Sequence, residues 1–282
     1  MKVKTINKTI KAKMDRWTGT LPDDLRKDVQ KSLIVTGGSI ASMLMGDPVN
    51  DFDIYLDNKD VLAGLVLFYI DGIDDEDVAI EPNDDEPERL RIFVRSVGAR
   101  KYEKPDEEEA YSLIYVTENA VTLSDSIQVI TRFIGDPEKI HENYDFIHAT
   151  NYWTYKDGLV LNERALASLL TKELHYSGSK YPLCSIIRTR KFIRRGFTIN
   201  AGQYLKMAFQ LNKLDLLDID VLHDQLTGVD SAYFEAFIKC LKAEKEKGNV
   251  DRFSESYLCK LVDEIFNKVE AEEQETDNEM PF

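Results

Sequence analysis

The sequence predicts an α+β fold, in which a head built on a mixed sheet is followed by a helical domain. Three observations carry this. Short apolar runs with strand character crowd the chain between Leu33 and Trp153, a Gly-Gly-Ser turn joins two of the first elements, and beyond Asn162 the apolar spacing becomes helical. The expected organisation is N-terminal helices over residues 1–32, a head over 33–158, a helical domain over 159–269 and an acidic tail over 270–282. The boundary between head and helical domain is expected near residues 156 to 162.

The chain opens as a polar helix. Thr20 is a candidate N-cap, with Pro22 just inside a second helix that runs towards Lys31 and repeats Leu25 and Val29 at helical spacing. Leu33 to Val35 is a short apolar strand that runs into Gly37-Gly38-Ser39. Ile40, Met43 and Leu44 then line one face of a short helix ended by Gly46. Asp51 to Tyr55 alternates with period 2, which predicts a strand with both carboxylates on one face and Phe52 and Ile54 on the other. From Asp71 to Glu88 the chain is acidic and carries Pro82 and Pro87, the pattern of an exposed loop or insertion. Strands are expected at Leu90 to Val94, Ser112 to Val116, Ala120 to Leu123, Ile127 to Ile130 and Phe146 to Trp153, with a short Pro137-led helix before the last. Helices are expected at Ala165 to Leu174, Leu183 to Arg194, Ala201 to Leu211, Ala232 to Lys247 and Ser254 to Val269.

With 282 residues, 43% of them hydrophobic, the chain is long enough to bury a core, and two globular units are expected rather than one. No run approaches the roughly 18 apolar residues of a membrane span. Met1 to Lys13 is polar and basic without an apolar signal core, so a cytoplasmic protein without a membrane partner is expected. Cys184, Cys240 and Cys259 lack paired spacing and suggest neither a disulfide framework nor zinc. The four histidines, His141, His148, His175 and His223, have no metal spacing among themselves. A formal charge of −15 opposes binding of a long nucleic acid over the whole surface. The segment from Lys180 to Arg195 is basic without an acidic residue, so a polyanion is expected to bind locally there.

Moving a nucleoside monophosphate from a triphosphate requires the attacking oxygen, the α-phosphate and the leaving pyrophosphate to be held in line while divalent cations neutralise developing charge. Hard cations take oxygen ligands. Two carboxylates two residues apart on a strand, here Asp51 and Asp53, point the same way and suit Mg2+ or Mn2+. A Gly-Gly-Ser turn lets backbone N–H groups and a helix start approach phosphates.

The run Ile34 to Asn58, I-V-T-G-G-S-I-A-S-M-L-M-G-D-P-V-N-D-F-D-I-Y-L-D-N, resembles the head motif of the DNA polymerase β superfamily of nucleotidyltransferases, above all that of CCA-adding enzymes and bacterial poly(A) polymerases. Ile187 to Ile199, I-R-T-R-K-F-I-R-R-G-F-T-I, is similar to the neck helix L-R-A-x-R-F-x-x-R-L-G-F of that family, one residue shorter. Tyr144 to Asn151, Y-D-F-I-H-A-T-N, resembles its R-D-F-T-x-N-A strand. The resemblance implies that Gly37, Gly38 and Ser39 cradle phosphates and that Asp51 and Asp53 hold the metal ions. It implies that Asp145 is a third catalytic carboxylate near the site, and that Arg188 and Lys191 offer cations to nucleotide or primer. Arg188, Lys191 and Arg195 also recur at helical spacing as one cationic stripe, whose other reading is a solvated face. Tyr152 and Trp153 are either a stacking platform for a base or core.

The sequence departs from the family at two places. Ile40-Ala41-Ser42 stands where CCA-adding enzymes have V-R-D, so an arginine that approaches the nucleotide is missing. Tyr181-Pro182-Leu183-Cys184-Ser185 stands where they carry E-D-x-x-R, whose side chains read CTP and ATP. These departures point away from CCA addition and leave base and acceptor open. The expected function is metal-dependent transfer of a nucleotide, AMP from ATP, to an acceptor, an RNA 3′ hydroxyl. Transfer to a protein or small molecule is the rival, as is a nucleotide- or RNA-binding protein that keeps the fold without turnover. The acidic tail closed by Met280-Pro281-Phe282 resembles the tip of single-stranded-DNA-binding proteins, which implies a protein partner as the alternative to a solubilising tail.

Overall fold

A computed structural model describes residues 2–71, 78–81, 89–94, 99–101, 111–226, 237, 239–243, 246 and 254–264. The chain divides into two compact units, Met1–Ser177 and Gly178–Phe282. The division lies downstream of residues 156–162. The reason is local: the helix Glu163–Thr171 packs against a 3-10 turn, Ile147–Ala149, and so stays with the first unit.

The first unit is α+β, as the sequence predicts. Helices α1 (Val3–Thr18) and α2 (Asp23–Ser32) lead into strand β1 (Leu33–Thr36), helix α3 (Gly38–Met45), strand β2 (Phe52–Leu56) and helix α4 (Lys59–Ile70). Strands β3 (Val78–Glu81), β4 (Arg91–Val94), β5 (Ala99–Lys101), β6 (Leu113–Thr117), β7 (Ala120–Leu123) and β8 (Ile127–Ile130) follow. Helix α5 (Pro137–His141), the 3-10 turn, β9 (Tyr152–Thr154), β10 (Gly158–Val160) and helix α6 (Glu163–Thr171) complete it. Eight strands form one mixed sheet in the order β10-β9-β1-β2-β8-β7-β6-β5, and β3 and β4 form a separate antiparallel pair. Only β2 and β8 run parallel among the described pairings, Phe52 opposite Ile127 and Ile54 opposite Val129. A parallel pair needs a crossover, and the long stretch containing α4 supplies it.

Several elements differ from the sequence reading. The opening helix is not polar all round: Ile6, Ile10, Met14 and Trp17, each fully buried, enter the core beside Val35, Ile54 and Leu56. Thr20 does not cap α2. Its hydroxyl donates to the Trp17 carbonyl at the end of α1, and Pro22 stands at the cap position of α2. The acidic stretch 71–88 is not wholly loop, because Val78–Glu81 pairs with Arg91–Val94 and Val78 and Ile92 are buried. Its prolines and the acids Asp106 to Glu109 lie outside the described residues. Phe146 to Trp153 is not one strand but the 3-10 turn followed by β9. Helix α4 is an element that the sequence reading leaves out. Asn58 caps it by accepting from the Asp60 and Val61 N–H groups, and it buries Leu62, Leu65, Val66 and Ile70.

The second unit contains α7 (Pro182–Arg194), α8 (Ala201–Leu211) and α9 (Ile219–Leu226). Its core joins Ile219, Leu222 and Leu226 to Phe237, Leu241 and Leu261. The helices expected at 232–247 and 254–269 lie partly outside the described residues, and the tail 270–282 wholly so. No helix among the described residues is long and apolar enough to cross a membrane.

Candidate functional site

The two faces of the sheet have different fates, and the site follows from that. Val35, Phe52 and Ile54 join the main core on one face. Ile34 and Tyr55, opposed across β1 and β2, lie in a smaller cluster with Ile140 of α5, and Tyr144 and Tyr152 pack against it. By period-2 alternation Asp53 shares the face of Tyr55. It is half-buried, whereas Asp51 is exposed and precedes β2 by one residue. The strand starts at Phe52, whose N–H is held by the Ser126 carbonyl at 2.9 Å.

Between β1 and α3 the chain turns at Gly37, with φ 90° and ψ −144°. Only glycine adopts that conformation cheaply. The missing side chain also matters for space: a methyl group at Gly37 would stand 3.2 Å from Asp53 Oδ2 and 3.2 Å from the Tyr144 hydroxyl oxygen. The glycine turn, the second carboxylate of the Asp-x-Asp pair and a tyrosine hydroxyl therefore converge on one spot. The Gly37 N–H is taken by the Ala149 carbonyl at 3.2 Å. The first-turn N–H groups of α3, from Gly38 and Ser39, have no partner within the helix, as at any helix start. A methyl at Gly38 would meet nothing within 4 Å. The Ser39 hydroxyl is buried and has no hydrogen-bond partner among the described residues.

Behind the turn lies a polar cluster. The Thr36 hydroxyl donates to the Asn151 carbonyl at 2.9 Å and sits 2.8 Å from His141 Nε2. Burial lowers the His141 pKa to about 4, so this imidazole is neutral at physiological pH. The Tyr144 hydroxyl donates to that of Tyr55 at 3.2 Å, and its ring packs at 5.2 Å from His141 and 6.3 Å from Tyr55. Burial of its hydroxyl, reinforced by Tyr55 and by the charge of Asp53, pushes the Tyr144 phenol well above its ordinary value. It is a neutral hydroxyl at any working pH.

Asp145 follows Tyr144 in the segment between α5 and the 3-10 turn, where its carbonyl accepts from the Ser177 N–H at 2.9 Å. Among the described residues no group of three or more His, Cys, Asp or Glu side chains that could hold a metal ion is found. Arg188 and Lys191 lie on α7 in the second unit, the first half-buried and the second exposed. Trp153 is core: it is 1% exposed and its indole N–H donates to Asn7 at 2.8 Å. Tyr144, Tyr55, Thr36 and His141 are the residues of this site that sequence reasoning missed. One signal was present, since Tyr144 stands where the resembled strand pattern has arginine.

No curated protein matches the chain in sequence. Similar solved structures include a CCA-adding enzyme in complex with ATP, 13% identical with a TM-score of 0.46, over 92% of this chain and 66% of that one. The CCA-adding enzyme of Bacillus stearothermophilus in complex with CTP is 11% identical with a TM-score of 0.39, over 80% and 51%. A tRNA-processing enzyme with CTP is 14% identical with a TM-score of 0.42, over 79% and 55%. The chain thus spans between half and two thirds of the length of these proteins. A family model matches residues 8–172, more than half of the chain and every element of the site in the first unit, and by that match the chain belongs to the Gabija anti-defense 2 family.

Proposed function

We propose that the chain is a metal-dependent nucleotidyltransferase that moves AMP from ATP to an acceptor in the cytoplasm, the acceptor being an RNA 3′ hydroxyl. The observation that carries this reading is the convergence at Gly37. A glycine turn that opens a helix lies directly against the inner carboxylate of an Asp-x-Asp pair, so close that a single methyl would crowd it. The sequence resemblance to the polymerase β superfamily supports the same chemistry.

The residues present fit a hard divalent cation. Asp53 brings a carboxylate oxygen beside Gly37, Asp51 brings a second carboxylate two residues earlier in the chain, and the buried Ser39 hydroxyl has hydrogen-bonding capacity to spare. Mg2+ or Mn2+ bound there supplies positive charge against the triphosphate and the departing pyrophosphate. The chain's own part is to bind and orient. With the Gly37 N–H engaged by Ala149, the N–H groups of Gly38 and Ser39 at the start of α3 are the donors for phosphate oxygens, helped by the helix dipole. Arg188 and Lys191 supply cations for nucleotide or primer, and Asp145 supplies a third carboxylate near the site.

The family description favours a second reading of the acceptor: a component of the Gabija defence that is modified by nucleotide transfer. One experiment separates the readings. Each α-labelled triphosphate is incubated with the chain, magnesium and either RNA or the proteins of that defence, beside the Asp51→Asn and Asp53→Asn variants. Label in RNA, lost by at least about a hundredfold in both variants, is the expected result. Label in protein moves the acceptor to the second reading. Retained transfer by either folded variant removes the metal site, and triphosphate binding without label in any acceptor leaves a binding protein.

A further inference from the structure

Transfer in line sets where an acceptor can stand. The acceptor oxygen bonds to the α-phosphorus on the side opposite the pyrophosphate, the bond from that phosphorus to the pyrophosphate breaks, and the hydroxyl proton is released to solvent. In the sheet, β2 with Asp53 has β1 on one side and β8 on the other. The Gly37 turn and the start of α3 follow β1, and the turn lies against Asp53, so the departing pyrophosphate belongs on the β1 flank. The acceptor then enters over β8.

Two side chains on that flank suit it. Gln128 of β8 lies directly opposite Asp53 in the parallel pair, so the two share one face of the sheet, their strands about 4.8 Å apart. Thr122 of β7 lies opposite Gln128 in turn, and the Gln128 amide nitrogen donates to Thr122 Oγ1 at 3.3 Å. The adjacent Val129 and Val121 are buried on the other face, whereas Gln128 and Thr122 are only half-buried. Beyond the bond between them, the pair keeps an amide oxygen, an amide proton and a hydroxyl proton to offer.

Both groups are neutral. Phosphate oxygens are best met by cations, whereas neutral donors and an acceptor side by side match two adjacent hydroxyls. The 2′ and 3′ hydroxyls of a terminal ribose are such a pair, and a terminal deoxyribose offers only one of them. We propose that Gln128 and Thr122 form an acceptor subsite beside Asp53 that takes the vicinal 2′,3′ hydroxyls at the 3′ end of an RNA. This rests on the reading of the chain as a nucleotidyltransferase with RNA as acceptor, and it names the groups that select RNA over DNA.

The test compares two oligonucleotides as acceptors of label from α-labelled ATP, identical except that the 3′-terminal sugar is ribose in one and 2′-deoxyribose in the other. Both keep the 3′ hydroxyl that reacts. In the wild type kcat/KM is expected to be about tenfold higher with ribose, the size of one net hydrogen bond. Gln128→Met keeps the length of the side chain and removes the amide, and it is expected to lower that preference to within about twofold through KM for the ribose acceptor. KM for the triphosphate at saturating acceptor stays within about twofold of wild type, a split that general loss of packing does not produce. Thr122→Val lowers the preference by less and keeps the test open should Gln128→Met fold poorly. Equal use of both acceptors by the wild type, or a preference that survives in both variants, overturns the subsite and spares the transfer reading. A wild type that labels neither oligonucleotide overturns RNA as the acceptor and this proposal with it.

Discussion

At Gly37 and Gly38 two adjacent glycines do different work, and substitution separates them. Gly37→Ala forces an L side chain to φ 90° and presses its methyl to 3.2 Å from Asp53 and Tyr144, so a loss of about 1–3 kcal/mol in stability is expected together with loss of transfer. Gly38 is the first residue of α3, and a methyl there meets nothing within 4 Å. Gly38→Ala is therefore expected to hold or raise stability, by up to about 1 kcal/mol, while raising KM for the triphosphate as the methyl intrudes on the phosphate site. Urea unfolding and steady-state kinetics on both variants check this; equal effects of the two on stability would contradict the geometry. The same residues mark the limit of sequence reading. Gly37, Gly38, Ser39, Asp51 and Asp53 are legible because they lie in one short run with a recurrent spacing. Tyr144 reaches Tyr55 across 89 residues and His141 reaches Thr36 across 105, so nothing local announces either contact.

The elements that the sequence misjudges are those where burial is narrow. In α1 the side chains of Ile6, Ile10, Met14 and Trp17 form a single stripe between lysines, and the lysines set the local character of the segment. The fold exposes what the stripe is for. Asn7, on the same helix, accepts from the Trp153 indole at 2.8 Å and from the Leu159 N–H at 3.0 Å, so α1 clamps the β9–β10 edge as well as filling the core. Truncation of a fully buried Ile10 to Ala is expected to cost about 2–4 kcal/mol through lost burial and the cavity left behind, whereas Lys8→Ala on the exposed side should stay within about 0.5 kcal/mol. Denaturant midpoints of the two variants decide it, and an Ile10→Ala midpoint equal to wild type would mean that α1 is dispensable to the head. Strand β3 is hidden for a related reason: four residues, Val78 to Glu81, pair with β4 inside a stretch whose flanks are acidic and proline-bearing. The 3-10 turn at Ile147–Ala149 is hidden because its apolar residues also suit a strand, and the Gly37 N–H bond to Ala149 that ties it to the site is not local.

Over the whole molecule the formal charge is −15, yet every charged side chain from Lys180 to Lys213 is basic. Which of these governs an encounter with a polyanion depends on distance. At about 0.1 M salt the Debye length is about 10 Å, so repulsion from remote acids is damped while cations in direct contact with phosphates act at nearly full strength. If a nucleic acid binds as proposed, the cations to test are Arg188 and Lys191 of α7 and Arg195 just after it. Each phosphate neutralised on a single strand contributes about −0.7 to the slope of log affinity against log salt. Reversing Arg188 and Lys191 to Glu together is therefore expected to flatten that slope by about 1.4 for a single-stranded RNA, and to weaken binding far more at about 50 mM salt than at about 500 mM. Fluorescence polarisation of a labelled RNA across that range measures both quantities. A double variant with wild-type slope and affinity returns the stripe to a solvated face, and a wild-type affinity that rises with salt would show that the overall negative charge, not the basic segment, dominates the encounter.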